Sequence, residues 1–298
     1  MKTTQHIVIA GAKIVLAFLV AFVLTLVAMI PVVTILGLTG SGEWTLQRLL
    51  GDPAFVYGSM IAQAAGFMAA VPIMYAWFER KAGWAVGWKQ SGAIRDLFKG
   101  AGIGIAMMTA IFLVMLAIGA VHIRGIRTDT AVWSDLAVYL LFFALVSLNE
   151  ELFSRGYVQG LVRYRFGSAA AVLCSSLFFA LLHAFNPGAL EHPLPLLNIF
   201  AAGLLLGVCR EVSGGLWLPI GLHWTWNYVQ GNVFGYEVSG TSVASLLEIE
   251  ASGQAVWSGG SFGAEGSLIA TVVMGAGVWL LWTKGRRSRT ERLRRKDE

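Results

Sequence analysis

A chain of 298 residues that is 56% hydrophobic and only 13% charged, with a mean hydropathy of +0.68, is not an ordinary water-soluble domain. Its formal net charge of +5 gathers at the ends of apolar segments rather than on one basic face, which argues against nucleic-acid binding. Two cysteines, Cys174 and Cys209, each within an apolar segment, exclude a disulfide framework and a Cys-rich zinc site and read as buried free thiols.

Stretches apolar enough to cross about 30 Å of hydrocarbon recur about eight times along the chain. The first, 14–38, follows Met1-Lys2, outlasts the core of a signal peptide and lacks a small-residue cleavage site, so a retained anchor is expected. The second spans 54–78. Residues 79–99 then mix Trp84, Trp88, Ile94, Leu97 and Phe98 with Lys and Arg, the composition of an interfacial amphipathic helix. Further spans are expected at 101–121, at 131–149 despite Asp135, at 168–185, and at 194–209, a short one carrying the small-xxx-small pair Gly203 and Gly207. The seventh covers 215–234. A Gly- and Ser-rich loop at 239–264 is expected to be flexible, and the last span, 266–283, precedes a basic tail. The fold class is therefore all-α, a polytopic membrane helical bundle of about eight transmembrane helices. It forms one domain over 1–283, with several ionisable groups at about 130–235 and a tail at 284–298.

Charge sets the orientation. Arg80, Lys81, Lys89, Arg95 and Lys99 follow the second span, and Lys284, Arg286, Arg287, Arg289, Arg292, Arg294, Arg295 and Lys296 follow the last. The positive-inside rule places both groups in the cytoplasm, and eight spans bring the N-terminus to the same side. The 235–265 loop, with Glu237, Glu248, Glu250 and Glu265 and no Lys or Arg, faces outward.

Within this apolar context several ionisable groups persist, each costing roughly 2.5–3.5 kcal/mol on insertion scales, so a functional use is expected. Glu150 and Glu151 end the fourth apolar run, and Arg155 lies one turn beyond Glu151 on the same face. The guanidinium would fix Glu151, leaving Glu150, about 100° round the helix, free for proton transfer. His183 closes Phe179-Ala-Leu-Leu-His183, and His223 shares a helical face with Asn227. For these groups to meet, the fourth helix must continue past Glu150 towards Arg163 and Arg165. Glu150 then lies about thirteen residues above the cytoplasmic end, near the level of His183. The seventh span must bring His223 up to them.

A carboxylate, two imidazoles and an amide suit amide hydrolysis: Glu150, assisted by His183, is the natural base, and His223 with Asn227 the natural oxyanion partners. Two histidines and a glutamate also form a known catalytic zinc ligand set, and the sequence leaves both versions open. His6, His122 and His192 lie at segment edges or in loops and read as structural, as do Trp217, Trp224 and Trp226.

Glu150-Glu151-Leu-Phe-Ser-Arg155, Phe179-Ala-Leu-Leu-His183 and His223-Trp-Thr-Trp-Asn227, in that order in successive apolar segments, resemble the three signature motifs of the CPBP intramembrane protease family. That family includes the type II CAAX prenyl endopeptidases. Gly215-Leu-Trp-Leu-Pro219-Ile-Gly-Leu-His223, leading into the third motif, is similar to the family's sequences, and the resemblance covers about 130–235. It implies an eight-helix, cytoplasm-facing endopeptidase. Glu150 and His183 would activate water, His223 and Asn227 would stabilise the oxyanion, and Glu151 and Arg155 would support them. The substrate is then a membrane-associated protein or peptide. Two other classes fit a polar intramembrane cluster: a non-proteolytic immunity or assembly factor, and a proton-coupled transporter, against which the lack of paired halves speaks.

Overall fold

The computed structural model describes the backbone of residues 2–39, 45, 49 and 52–297 and, of these, the side chains of residues from 4 to 285 other than 39 and 53. The arginines and Lys296 of the expected tail thus have their side chains outside the described residues. Helix α1 covers Lys2–Thr39. Helix α2, Pro53–Met74, is capped by Asp52, which accepts from the Ala54 and Phe55 amides, and runs into a π-helical turn at Tyr75–Glu79. Then follow α3 (Ala93–Ala117), strand β1 (Val121–Ile126) and α4 (Thr130–Glu151), whose cap Asp129 accepts from the Val132 amide. A π-helical stretch, Leu152–Val158, joins α4 to α5 (Gln159–Leu182). After α6 (Leu194–Ser213) come α7 (Trp217–Tyr228) with a second π-helical stretch, Val229–Val233, strand β2 (Leu247–Ala251), the one-turn α8 (Ala255–Ser258) and α9 (Leu268–Asp297).

Among the described residues, six helical stretches are long and apolar enough to cross a membrane, and the chain is an all-α polytopic bundle. One of the six, 130–182, has 53 residues and would be about 80 Å long if straight, far beyond one crossing. It breaks at Gly167, where φ is 83° and ψ 175°, a region open essentially to glycine. On a straight helix Glu150 and His183 would lie about 50 Å apart, yet their side chains approach to 3.8 Å, so the chain reverses there. The π-extended α7 packs against α3, α4 and α6 as a further pass, which brings the number of helical passes among the described residues to eight.

The two ends of the bundle differ in charge. At one, Lys13 pairs with Glu79, Arg165 approaches His6, and Arg163 pairs with Glu211. At the other, β1 and β2 form an antiparallel ribbon with Val121 opposite Ala251, and Arg127, Asp129 and Asp135 form an ion-pair cluster. The Arg127 guanidinium, hydrogen-bonded to Asp129, holds that carboxyl below the usual carboxylate range. The ribbon corrects two expectations. The third span runs over 93–117 rather than 101–121, and the 239–264 loop is built from β2, α8 and 3₁₀ turns pinned to neighbouring segments.

Residues 79–99 are also not an interfacial helix. Between the π-helical turn and α3 the chain is irregular and tucks under the bundle, where its polar backbone must be satisfied by protein. Arg210 Nη2 donates to the Ala85 and Val86 carbonyls at 3.2 Å, the Leu216 amide donates to Gly87 O at 3.1 Å, and Tyr75 Oη donates to Trp84 O. Gly156 and Gly160 make the room: a Cβ at Gly160 would come within 2.5 Å of the Trp84 ring, and one at Gly156 within 2.8 Å of Val86. The Gly203 and Gly207 pair does pack a helix closely, against Ser176 and Val172 of α5. Cys209 is buried in the core, whereas Cys174 is exposed on the surface of α5, contrary to expectation.

Candidate active site

The level of the site follows from that tucked segment. Gly156 lies beside Val86, and a Cβ there would also meet Leu216 at 3.4 Å, so the start of α7 sits level with the π-helical stretch rather than at the end of the bundle. Glu150 is six residues above Gly156, about 9 Å, and His223 is seven above Leu216, about 10 Å. His183, sixteen residues above Gly167, ends α5 close to the same height. The rise of His223 comes from where α7 begins.

Glu150 Oε2 lies 3.8 Å from Nε2 of His183 and 3.8 Å from Nε2 of His223, and it has no hydrogen-bond partner among the described residues. Each imidazole is held by its other nitrogen. His183 Nδ1 is 2.9 Å from the Phe179 carbonyl and His223 Nδ1 is 2.9 Å from Glu151 Oε1. Both partners only accept, so each Nδ1 carries its proton and each Nε2 is turned towards Glu150.

Behind this cluster Glu151 and Arg155, both with no solvent-exposed side-chain surface, form a pair at 2.9 Å. Arg155 Nη2 also donates to Gly203 O at 3.3 Å, and its guanidinium lies 4.2 Å from the Phe179 ring centroid. Phe179 in turn packs against both imidazoles, at centroid distances of 4.5 and 5.9 Å. The widened turn at Leu152–Val158, in which the Gln159 amide reaches back five residues to Ser154 O, buries Arg155 and Gln159 against α6.

Glu150, His183, His223 and Asn227 line a cavity of about 940 Å³, while Glu151 and Arg155 do not reach it. The two adjacent glutamates therefore point to different environments, one into the cavity and one into the protein. Sequence reasoning did not find Asn149, Ser154 and Glu265, which also line the cavity; Glu265 comes from the loop before α9 and accepts from Trp226 Nε1, Ser239 N and Ser239 Oγ. Nothing local marks these positions. Phe179 was given no role either, although its place four residues before His183 on one helical face could have marked it. Two histidines and a carboxylate are chemically a zinc donor set, but among the described residues no group of three or more His, Cys, Asp or Glu side chains is arranged to hold a metal ion.

A family profile described as type II CAAX prenyl endopeptidase Rce1-like matches residues 130–229, the stretch from the start of α4 to the end of α7. Over that stretch the chain is similar to this CAAX protease family. It is also similar to an uncharacterized 24.3 kDa protein of Escherichia coli, 33% identical over 97 residues, a match covering 32% of this chain and 43% of that protein. The chain thus spans less than half the length of this curated relative. The Rce1-like region contains all six residues of the cluster, and α1 to α3 and α9 lie outside it.

Proposed function

We propose that this chain is a multi-pass intramembrane endopeptidase that hydrolyses a peptide bond of a membrane-associated protein or peptide. One observation carries the reading: Glu150 Oε2 stands unpartnered between two Nε2 atoms whose rings are locked by their Nδ1 protons. At 3.8 Å the carboxylate is too far for direct hydrogen bonds and leaves room for a water about 2.8 Å from each atom.

In the proposed reaction this water's oxygen forms a bond to the substrate carbonyl carbon as Glu150 takes one of its protons, with His183 orienting the water. The carbonyl oxygen becomes an oxyanion, stabilised by the Asn227 side-chain amide and by His223 when protonated at Nε2. The C–N bond then breaks, the departing nitrogen receives the proton held by Glu150, and the new carboxyl group keeps the other water proton. Glu151 and Arg155 position His223 and the helix that carries Glu150. The proposed orientation puts the basic end, with both termini, in the cytoplasm.

Quantitative mass spectrometry of protein termini tests this, comparing cells that carry the native chain with cells carrying Glu150→Gln or His183→Ala at equal membrane levels. New termini that depend on the native chain are expected. Identical termini in all three would contradict hydrolysis and favour a binding role.

A further inference from the structure

One turn between α7 and β2 joins the two sides of the site. Val238 and Thr241 exchange backbone hydrogen bonds at 2.9 and 3.0 Å, leaving Ser239 and Gly240 as the central residues of a tight hairpin turn, with φ of 49° and 82°. A turn of that hand favours Asn and Gly, and Ser239 is the only non-glycine with a positive φ among the described residues. The turn is held from three sides. Glu265 Oε2 accepts from Ser239 N at 3.0 Å and from Ser239 Oγ at 2.8 Å, Asn186 Nδ2 donates to Ser239 O at 3.1 Å, and the Gly240 amide donates to Phe262 O at 3.1 Å.

These partners lead to different walls of the cavity. Asn186 belongs to the turn that ends α5, where its amide donates to the His183 carbonyl at 3.1 Å. Glu265 Oε1 accepts at 3.1 Å from Nε1 of Trp226, the residue before Asn227 on α7. Glu265 is itself fixed, because Asn198 Nδ2 of α6 donates to its backbone carbonyl at 2.6 Å. Three donors converge on its side chain, which a carboxylate accepts in full, whereas a glutamine would turn its NH2 towards one of them. Helix α5 packs on α6, so its end reaches α7 through this hydrogen-bonded chain and through the Phe179 ring against His223. Resting on the hydrolase reading above, we infer that Ser239 and Glu265 are positioning residues: the turn braces the end of α5 against α7 and sets the spacing between His183, which orients the water, and Asn227, which holds the oxyanion. Both lie outside residues 130–229, so this support comes from beyond the family-matched stretch.

The test compares the full native chain in lipid nanodiscs with Glu265→Gln, Ser239→Val and Ser239→Gly, by amide hydrogen exchange and by cleavage, per folded molecule, of a fluorogenic peptide spanning a cut found in the termini comparison above. A misplacement of about 1 Å costs up to about a hundredfold in rate, so Glu265→Gln and Ser239→Val should lose at least tenfold in kcat with KM within threefold of native. Ser239→Gly accepts the left-handed backbone and loses only the hydroxyl, so it should lose severalfold less than Ser239→Val. The amides of residues 183–186 should exchange at least tenfold faster in Glu265→Gln and Ser239→Val, although both substitutions lie on other segments. Unchanged exchange at 183–186, equal losses in the glycine and valine variants, or rates that fall only with the folded fraction would overturn the inference. Faster exchange at 183–186 in the variants of a chain whose native form cuts nothing would leave the brace standing while contradicting the hydrolase reading.

Discussion

Replacing Arg155 by Met removes the hydrogen bond to Glu151 at 2.9 Å, the one to Gly203 O at 3.3 Å and the stacking over Phe179, with little change in volume. Glu151, which has no exposed side-chain surface, is left with His223 as its sole hydrogen-bond donor among the described residues. Breaking a buried pair from one side costs about 3–5 kcal/mol, because an uncompensated charge remains. Glu151→Gln makes the mirror-image error by leaving the guanidinium unpaired, and a similar loss is expected. In the double variant both charges are gone, and Gln can still accept from His223 Nδ1. Its cost should fall to about 1–3 kcal/mol, a coupling of at least about 3 kcal/mol between the two sites. Unfolding of the purified protein in mild detergent, followed by calorimetry, measures this; each single variant should lose about 6–10 °C and the double variant much less. Additive losses would refute the claim that these side chains act as one buried unit.

Other substitutions probe the parts that set the height and shape of the site. Gly160→Val leaves no room for the Trp84 ring, so the 80–92 segment should be displaced and trypsin should cut at Lys81 or Lys89 much faster than in the native chain; unchanged digestion would contradict its place under the bundle. Gly167→Ala meets no neighbour within 4 Å, so its effect is backbone strain alone, about 1–3 kcal/mol in thermal unfolding, and a neutral result would argue against the reversal there. Asp129 titrates below the ordinary carboxylate range because Arg127 bonds it, so its contribution to stability is present above that range and is lost as pH falls through the lowered value. In carboxyl-carbon NMR, Arg127→Gln should move the Asp129 midpoint upward, and an unchanged midpoint would refute the assignment.

Most span positions and the split between Glu150 and Glu151 were legible because both follow from period and residue type. Apolar runs report bilayer depth, and adjacent helical residues must diverge by about 100°. The need to carry α4 past Glu150 also followed from depth alone. The contact of Glu151 with His223 did not, since it depends on where α7 begins. That height is set by residues 84–87, which lie in the stretch 79–99, whose aromatic and basic composition is equally that of an interfacial helix. Their packing against the bundle is made possible by Gly156 and Gly160 on another element, a pairing that no local pattern announces. The ribbon of β1 and β2 was hidden for a similar reason: β1 lies next to the apolar run of α3, and β2 is a short acidic strand inside a Gly-rich stretch. The π-helical turn at Leu152–Val158 leaves the residue spacing of Glu151 and Arg155 intact, so the sequence reads as ordinary helix.

The division of labour between neighbouring glutamates is tested most directly by peptide-cleavage rates of the purified native chain, Glu150→Gln and Glu151→Gln, each divided by its folded fraction. Glu150 Oε2 has no hydrogen-bond partner to lose, so Glu150→Gln should unfold at or above the native temperature while its rate per folded molecule falls at least a hundredfold. Glu151→Gln should lose stability first and activity less. A Glu150→Gln protein that is fully folded and cuts at the native rate would contradict the assignment of Glu150 as the base.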